Sequence, residues 1–168
     1  IEGQGSVFTL TLPLAAEGDT VSPTLQDTAA AEPPMYRPRR VLYIEDNAVN
    51  AEVMRGIFAQ RPQVRLDVRA TAEEGLALLA ACPPGDLPNL LLLDMHLPDG
   101  DGLGVLARLK ADPHTAALPV VVVSADVSAG LMDAARRAGA LDYLAKPVNV
   151  GALLRLIDGL LEPAETRY

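Results

Sequence analysis

The chain has 168 residues, with 14 Lys and Arg against 22 Asp and Glu, a net charge of −8. That length allows one domain with a sizeable core plus additional chain. A composition of 49% apolar and 21% charged residues belongs to a folded globular protein, and the acidic balance argues against direct contact with nucleic acid.

A single cysteine, Cys82, excludes an internal disulfide framework and a cysteine-rich zinc site, and it fits a reducing compartment. No apolar run approaches the ~20 residues of a membrane span, so no membrane contact is expected of this chain. No signal peptide opens it, and a cytoplasmic location is expected. Because it begins at Ile1, it is expected to be a piece of a longer protein, which itself has the option of a membrane anchor.

In chain order, Val7, Thr9 and Thr11 alternate with Phe8, Leu10 and Leu12 until Pro13, the period of a half-buried strand. One strand is not a domain, and residues 1–14 read as the end of one that lies upstream. Residues 15–39 carry Pro23, Pro33, Pro34 and Pro38 without an apolar period and read as a linker. The alternative is a docking segment using Met35, Tyr36 and the basic Arg37, Arg39 and Arg40.

From residue 40 to residue 162 the pattern becomes regular. Short apolar runs occur at 41–44, 64–68, 90–93, 120–123 and 141–145, mostly continuous, as strands covered on both faces require. Helical periods separate them. Val49, Val53 and Ile57 recur at i+4 after the cap Asn47. Thr71 and Glu74 form a capping box before Leu76 and Leu79. Leu103, Leu106 and Leu109 mark a third helix. Leu131, Ala135 and Ala138 mark a fourth, closed by Gly139. Leu153, Leu154, Ile157, Leu160 and Leu161 mark the fifth, and residues 163–168 are a tail. Five strands alternating with five helices predict an α/β fold, a doubly wound parallel sheet with right-handed crossovers.

Ligands of such sheets bind beyond the carboxyl ends of the strands. There the first strand delivers Glu45 and Asp46, the third Asp94, the fourth Ser124 and the fifth Lys146. Each alone has a plain structural use, as a helix cap or a solvated charge. Together they form a constellation. Converging carboxylates repel unless protonated or neutralised, and Mg²⁺ suits carboxylates with a backbone carbonyl. A hydroxyl and an ammonium beside the metal can hold phosphoryl oxygens, and Asp94 is placed to be a nucleophile forming an acyl phosphate. An aspartate-nucleophile hydrolase is disfavoured, because Glu45-Asp46-Asn47-Ala48 has no second acid at the offset such enzymes use.

These residues carry a family pattern. Val41-Leu42-Tyr43-Ile44-Glu45-Asp46-Asn47, Leu91-Leu92-Leu93-Asp94-Met95, Leu97-Pro98-Asp99-Gly100-Asp101-Gly102, Val123-Ser124-Ala125 and Tyr143-Leu144-Ala145-Lys146-Pro147 make residues 40–162 resemble the receiver domain of two-component response regulators. The resemblance implies a flavodoxin-like (βα)5 fold of strand order 2-1-3-4-5. It implies Asp94 as phosphoacceptor, with Mg²⁺, or Mn²⁺ in its place, held by Asp46, Asp94, the backbone carbonyl of Met95 and, through water, Glu45. It further implies that Ser124 and Lys146 bind phosphoryl oxygens, that Ser124 and Tyr143 move in the switch, that the Lys146–Pro147 peptide is cis, and that His96 and Asp126 tune the phosphate lifetime. By itself His96 reads as an exposed loop residue, and Tyr143 reads equally as a core aromatic.

Glu2-Gly3-Gln4-Gly5-Ser6-Val7-Phe8-Thr9-Leu10-Thr11-Leu12-Pro13 resembles the end of the ATP-binding domain of sensor histidine kinases. With the rest of that pocket missing, no ATP binding or kinase activity is expected of this chain. The short stretch after Leu161 is expected to leave no room for a DNA-binding output domain. The two resemblances imply a hybrid histidine kinase. Its receiver would exchange phosphate with the kinase core in cis or with a histidine phosphotransfer protein, and could form a homodimer through the face of the fourth helix, fifth strand and fifth helix. The alternatives are a stand-alone single-domain regulator and a phosphate-independent interaction module.

Overall fold

In the computed structural model, residues 39–161 are described. The expectations for the terminal strand, for the linker up to residue 38, for Met35, Tyr36 and Arg37 of its docking alternative, and for the tail lie outside the described residues; Arg39 and Arg40 of that alternative belong to the first strand.

The elements are β1 (Arg39–Ile44), α1 (Ala48–Phe58), β2 (Val64–Arg69), α2 (Ala72–Ala81), β3 (Leu90–Asp94), β4 (His96–Leu97), β5 (Gly100–Asp101), α3 (Gly102–Ala111), β6 (Val120–Ser124), α4 (Ala129–Arg137), β7 (Asp142–Ala145) and α5 (Val150–Leu161). Five strands form one parallel sheet in the order β2-β1-β3-β6-β7. This is the expected 2-1-3-4-5 order once β4 and β5 are set aside. Those two form a small antiparallel ribbon absent from the sequence reading. Two residues per strand are too few for a period to be visible.

The strand period of two sorts β1 between two core layers. Val41 and Tyr43 pack with Met54, Phe58, Leu153 and Ile157 under α1 and α5. Leu42 and Ile44 pack with Leu79, Leu106 and Leu109 under α2 and α3. Leu90–Asp94 and Val120–Ser124 are buried throughout because the sheet continues on both sides of them and helices cover both faces. β2 lies at the sheet edge, and only Val64 in it is fully buried.

Two packing expectations are corrected. Val49 and Val53 do not face the core: they are 71% and 56% exposed, and α1 buries Ala51, Met54, Ile57 and Phe58. An i+4 spacing defines a stripe on a helix without stating which stripe meets the sheet, and the stripe with Met54 and Phe58 offers more apolar surface. Leu141 lies outside the last strand and is 54% exposed, its amide donating to the Val120 carbonyl at 2.7 Å in the turn before β7. The helix ends follow the sequence signals more closely. Asn47 Oδ1 accepts from the Val49 and Asn50 amides, and Gly139 follows α4 with φ +98°, a conformation glycine adopts without steric cost. The Thr71 hydroxyl accepts from Glu74 N, while the Glu74 carboxylate reaches back one residue further than the expected box, to Ala70 N.

Candidate functional site

The parallel register brings the carboxyl ends of β1, β3, β6 and β7 to one edge, pairing Ile44 with Leu93, Asp94 with Val123 and Ser124 with Ala145. Glu45 and Asp46 leave β1 immediately before the Asn47 cap, so α1 starts beside them. Glu45, Asp46 and Asp94 each offer a carboxylate oxygen, and these lie within 4.8 Å of one another. Glu45 and Asp94 are buried and Asp46 is exposed.

Lys146 enters this group from the end of β7. Its Nζ lies 2.6 Å from Glu45 Oε2 and 2.8 Å from Asp94 Oδ2. The Lys146 amide donates to the Ser124 carbonyl at 2.8 Å, which ties the two strand ends together, and the Lys146–Pro147 peptide is cis. Burial disfavours the Lys146 ammonium, but its bonds to Asp94 and Glu45 outweigh burial and hold its pKa above the ordinary lysine value. Burial likewise pushes the Glu45 carboxyl up. Hydrogen bonds from Lys146, Tyr43 and Asn50 outweigh it, and Glu45 stays below the usual glutamate range.

Three carboxylates against one ammonium leave two negative charges uncompensated. All donor atoms are hard oxygens, and Asp46 opens to solvent. That set fits a divalent cation such as Mg²⁺, which prefers a few carboxylates plus waters. The Met95 carbonyl lies on the same strand end. It accepts from Gly102 N at 3.1 Å and has a second lone pair.

The remaining expected residues are placed as follows. Ser124 is fully buried, and its Oγ accepts from the Asp126 amide at 3.2 Å. Tyr143 is half-buried against Met95, Val122 and Ala135, and its hydroxyl donates to the Asp126 carbonyl. His96 is exposed in the ribbon, its amide donating to Asp94 Oδ1 at 3.2 Å. The Asp126 carboxyl is held below the usual range, mainly by hydrogen bonds from Ser128 and in addition by the charge of nearby His96.

Two contributors were not legible as such. Tyr43 is 1% exposed and its hydroxyl donates to Glu45 Oε2; Asn50 Nδ2 donates to Glu45 Oε1 at 2.8 Å. Burial and the Glu45 hydrogen bond push the Tyr43 phenol far above its ordinary range, so it stays a neutral donor. The i, i+2 spacing of Tyr43 and Glu45, which puts both on one sheet face, was the available signal. Asp99 caps another element altogether, accepting from the Ala72 and Glu73 amides at 2.9 and 2.8 Å, while Asp101 caps α3.

The sequence profile of the response regulator receiver domain matches residues 41–158. Over 124 residues the chain is 34% identical to protein-glutamate methylesterase/protein-glutamine glutaminase 2 of Anaeromyxobacter dehalogenans, covering 72% of this chain and 35% of that protein. Over 158 residues it is 34% identical to the aerobic respiration control sensor protein ArcB of Escherichia coli, covering 93% of this chain and 19% of that protein. The chain thus spans a minor share of both curated relatives. Among solved structures, the Mn²⁺-bound form of response regulator Rcp1 matches with a TM-score of 0.62 and 26% identity, covering 73% of this chain and 91% of that one. Among the described residues, no helix is long and apolar enough to cross a membrane. On its sheet order, its strand-end acids and these matches, the chain belongs to the response regulator receiver domain family of two-component signalling.

Proposed function

We propose that this domain accepts a phosphoryl group from a phosphohistidine onto Asp94. The observation that carries this reading is the meeting of Glu45, Asp46 and Asp94 within 4.8 Å, with Lys146 Nζ at hydrogen-bond distance from two of them. An Asp94 carboxylate oxygen attacks phosphorus. The bond from phosphorus to the imidazole nitrogen breaks with its electron pair going to that nitrogen, which takes up a proton, and Asp94 is left as an acyl phosphate. Lys146 and the Ser124 hydroxyl receive phosphoryl oxygens. Asp46, Asp94 and the Met95 carbonyl hold Mg²⁺ or Mn²⁺, with Glu45 acting through water. The bound cation supplies charge neutralisation at the phosphoryl oxygens. The Mn²⁺-bound form of the related Rcp1 supports this choice of ion.

Ser124 and Tyr143 then shift and repack the face of α4, β7 and α5, biasing an existing equilibrium. That face signals to a histidine kinase core, a histidine phosphotransfer protein or a second copy. His96 and Asp126, at the rim, set how fast water removes the phosphate. The domain thereby catalyses its own phosphorylation and dephosphorylation in the cytoplasm.

The proposed parent is a hybrid sensor histidine kinase, with residues 1–14 from its ATP-binding domain, 15–39 a linker, 40–162 the receiver and 163–168 a tail. The ArcB alignment supports this: it covers 93% of the chain and therefore extends into residues before 39, beyond the receiver match at 41–158.

Intact-mass spectrometry after incubation with a small phosphodonor and Mg²⁺ tests the reading. A single base-labile phosphoryl adduct is expected on wild type, absent from Asp94→Asn and absent with EDTA. An adduct that persists in Asp94→Asn refutes Asp94 as acceptor. No adduct together with no Mg²⁺ binding replaces the reading with a phosphate-independent interaction module.

A further inference from the structure

Glu45 occupies the acidic pair with a side chain one methylene longer than its neighbour Asp46, and a longer side chain has more rotamers to lose when a ligand orients it. Yet among the three acids it is the most tightly held. Its carboxylate takes a hydrogen bond at one oxygen from Asn50 Nδ2 at 2.8 Å and, more weakly, from the Asn47 amide at 3.4 Å. The other oxygen takes Lys146 Nζ at 2.6 Å and the Tyr43 hydroxyl. Lys146 also serves Asp94. Tyr43 and Asn50 serve only Glu45 among the side-chain bonds of the described residues.

Tyr43 is unusual for its surroundings. It lies in the layer with Met54, Phe58, Leu153 and Ile157, all apolar, and its ring is fully packed. Its hydroxyl reaches out of that layer to the Glu45 carboxylate. A phenylalanine would fill the same volume, so the hydroxyl has no packing use, and it is buried at a cost that only its bond to Glu45 offsets.

We propose that Tyr43, assisted by Asn50, is a positioning residue that holds the Glu45 carboxylate in the orientation in which it receives the water of a bound divalent cation. This rests on the Asp94 site being the metal-dependent acceptor argued above. The rigid phenol rises from the end of β1, two residues before Glu45, and Asn50 approaches from the first turn of α1, so strand and helix fix the carboxylate from two sides. The pair preorganises the longer acid and removes its freedom before the metal arrives. Partners of this kind behind a metal site are typically worth about 10- to 100-fold in affinity.

The test is Mg²⁺ titration calorimetry on the full chain, with thermal unfolding as a fold control, for wild type, Tyr43→Phe, Glu45→Asp and the double variant. The shorter acid of Glu45→Asp keeps the charge but withdraws from the Tyr43 hydroxyl. Tyr43→Phe is expected to weaken Mg²⁺ about tenfold in the wild-type background, and by less than about twofold in the Glu45→Asp background, since the two then share one interaction. A Tyr43→Phe affinity equal to wild type overturns the proposal. So does an equal tenfold loss in both backgrounds, which would mean a general structural effect. Absence of Mg²⁺ binding by folded wild type overturns the proposed function itself, and this inference with it.

Discussion

Gly102 and Met95 are in backbone contact at the end of the acceptor strand. Gly102 N donates to the Met95 carbonyl at 3.1 Å, and a Cβ on Gly102 would stand 2.7 Å from Met95 Cα and 2.6 Å from the Asp94 carbonyl oxygen. Neither neighbour is a flexible side chain, so neither can move aside cheaply. Gly102→Ala is therefore expected to destabilise the domain by about 1–3 kcal/mol, the range for overpacking. It is also expected to weaken Mg²⁺ binding about tenfold by displacing the Met95 carbonyl. Urea unfolding and calorimetry check the two effects separately.

Lys146 stands between Glu45 and Asp94, which are 2% and 4% exposed. Lys146→Met leaves two buried carboxylates facing each other without a counter-charge. A loss of about 3 kcal/mol is expected, the lower end for a broken buried ion pair because Lys146 itself reaches the site's open side. Saturating Mg²⁺ should restore part of it by binding the folded state alone. Denaturant titration with and without Mg²⁺ checks this, and an unchanged midpoint without metal would contradict it.

Arg61 clamps Asp158 through Nε and Nη2, both at 2.8 Å, joining the connection between α1 and β2 to α5. The Arg61 hydrogen bond, the largest influence, holds the Asp158 carboxyl below the ordinary aspartate value of 3.8. A depressed carboxyl contributes its stability in full above the unfolded value and loses it as pH falls through the folded one. Asp158→Asn is thus expected to melt below wild type at pH 7, and the two curves should converge in acid below that value. Thermal melts across pH 2–7 read this directly.

The exposed valines of α1 provide a test of packing. Val53 is 56% exposed and Met54, its neighbour, 2%. Val53→Ala is expected to stay within about 0.5 kcal/mol of wild type, whereas Met54→Ala should cost about 2–5 kcal/mol as a cavity opens between β1 and α1. The opposite order in urea unfolding would mean that α1 packs on its other stripe.

The buried runs Leu90–Leu93 and Val120–Val123 were legible because a strand covered on both faces must be apolar at every position, whatever its neighbours. The caps at Asn47 and Thr71 were legible because capping is a contract between residues two or three apart. Val49 and Val53 misled because choosing among the stripes of a helix depends on the sheet beneath it. Tyr43 read only as one more apolar strand residue, since its partner Glu45 gives it meaning only when Asn50 and Lys146 arrive from elsewhere.

The sequence by itself determined the alternation of strands and helices and the identities of Glu45, Asp46, Asp94, Ser124 and Lys146 at successive strand ends. Period and local hydrogen bonding act over a few residues, and that range suffices for both. Only the tertiary structure decided that Lys146 bridges acids 101 and 52 residues away. It also decided that Tyr43 and Asn50 close on one carboxylate and that Gly102 leaves no room above Met95. Those relations come from parallel register and helix packing, where the burial of whole faces, not any neighbouring residue, brings distant groups into contact.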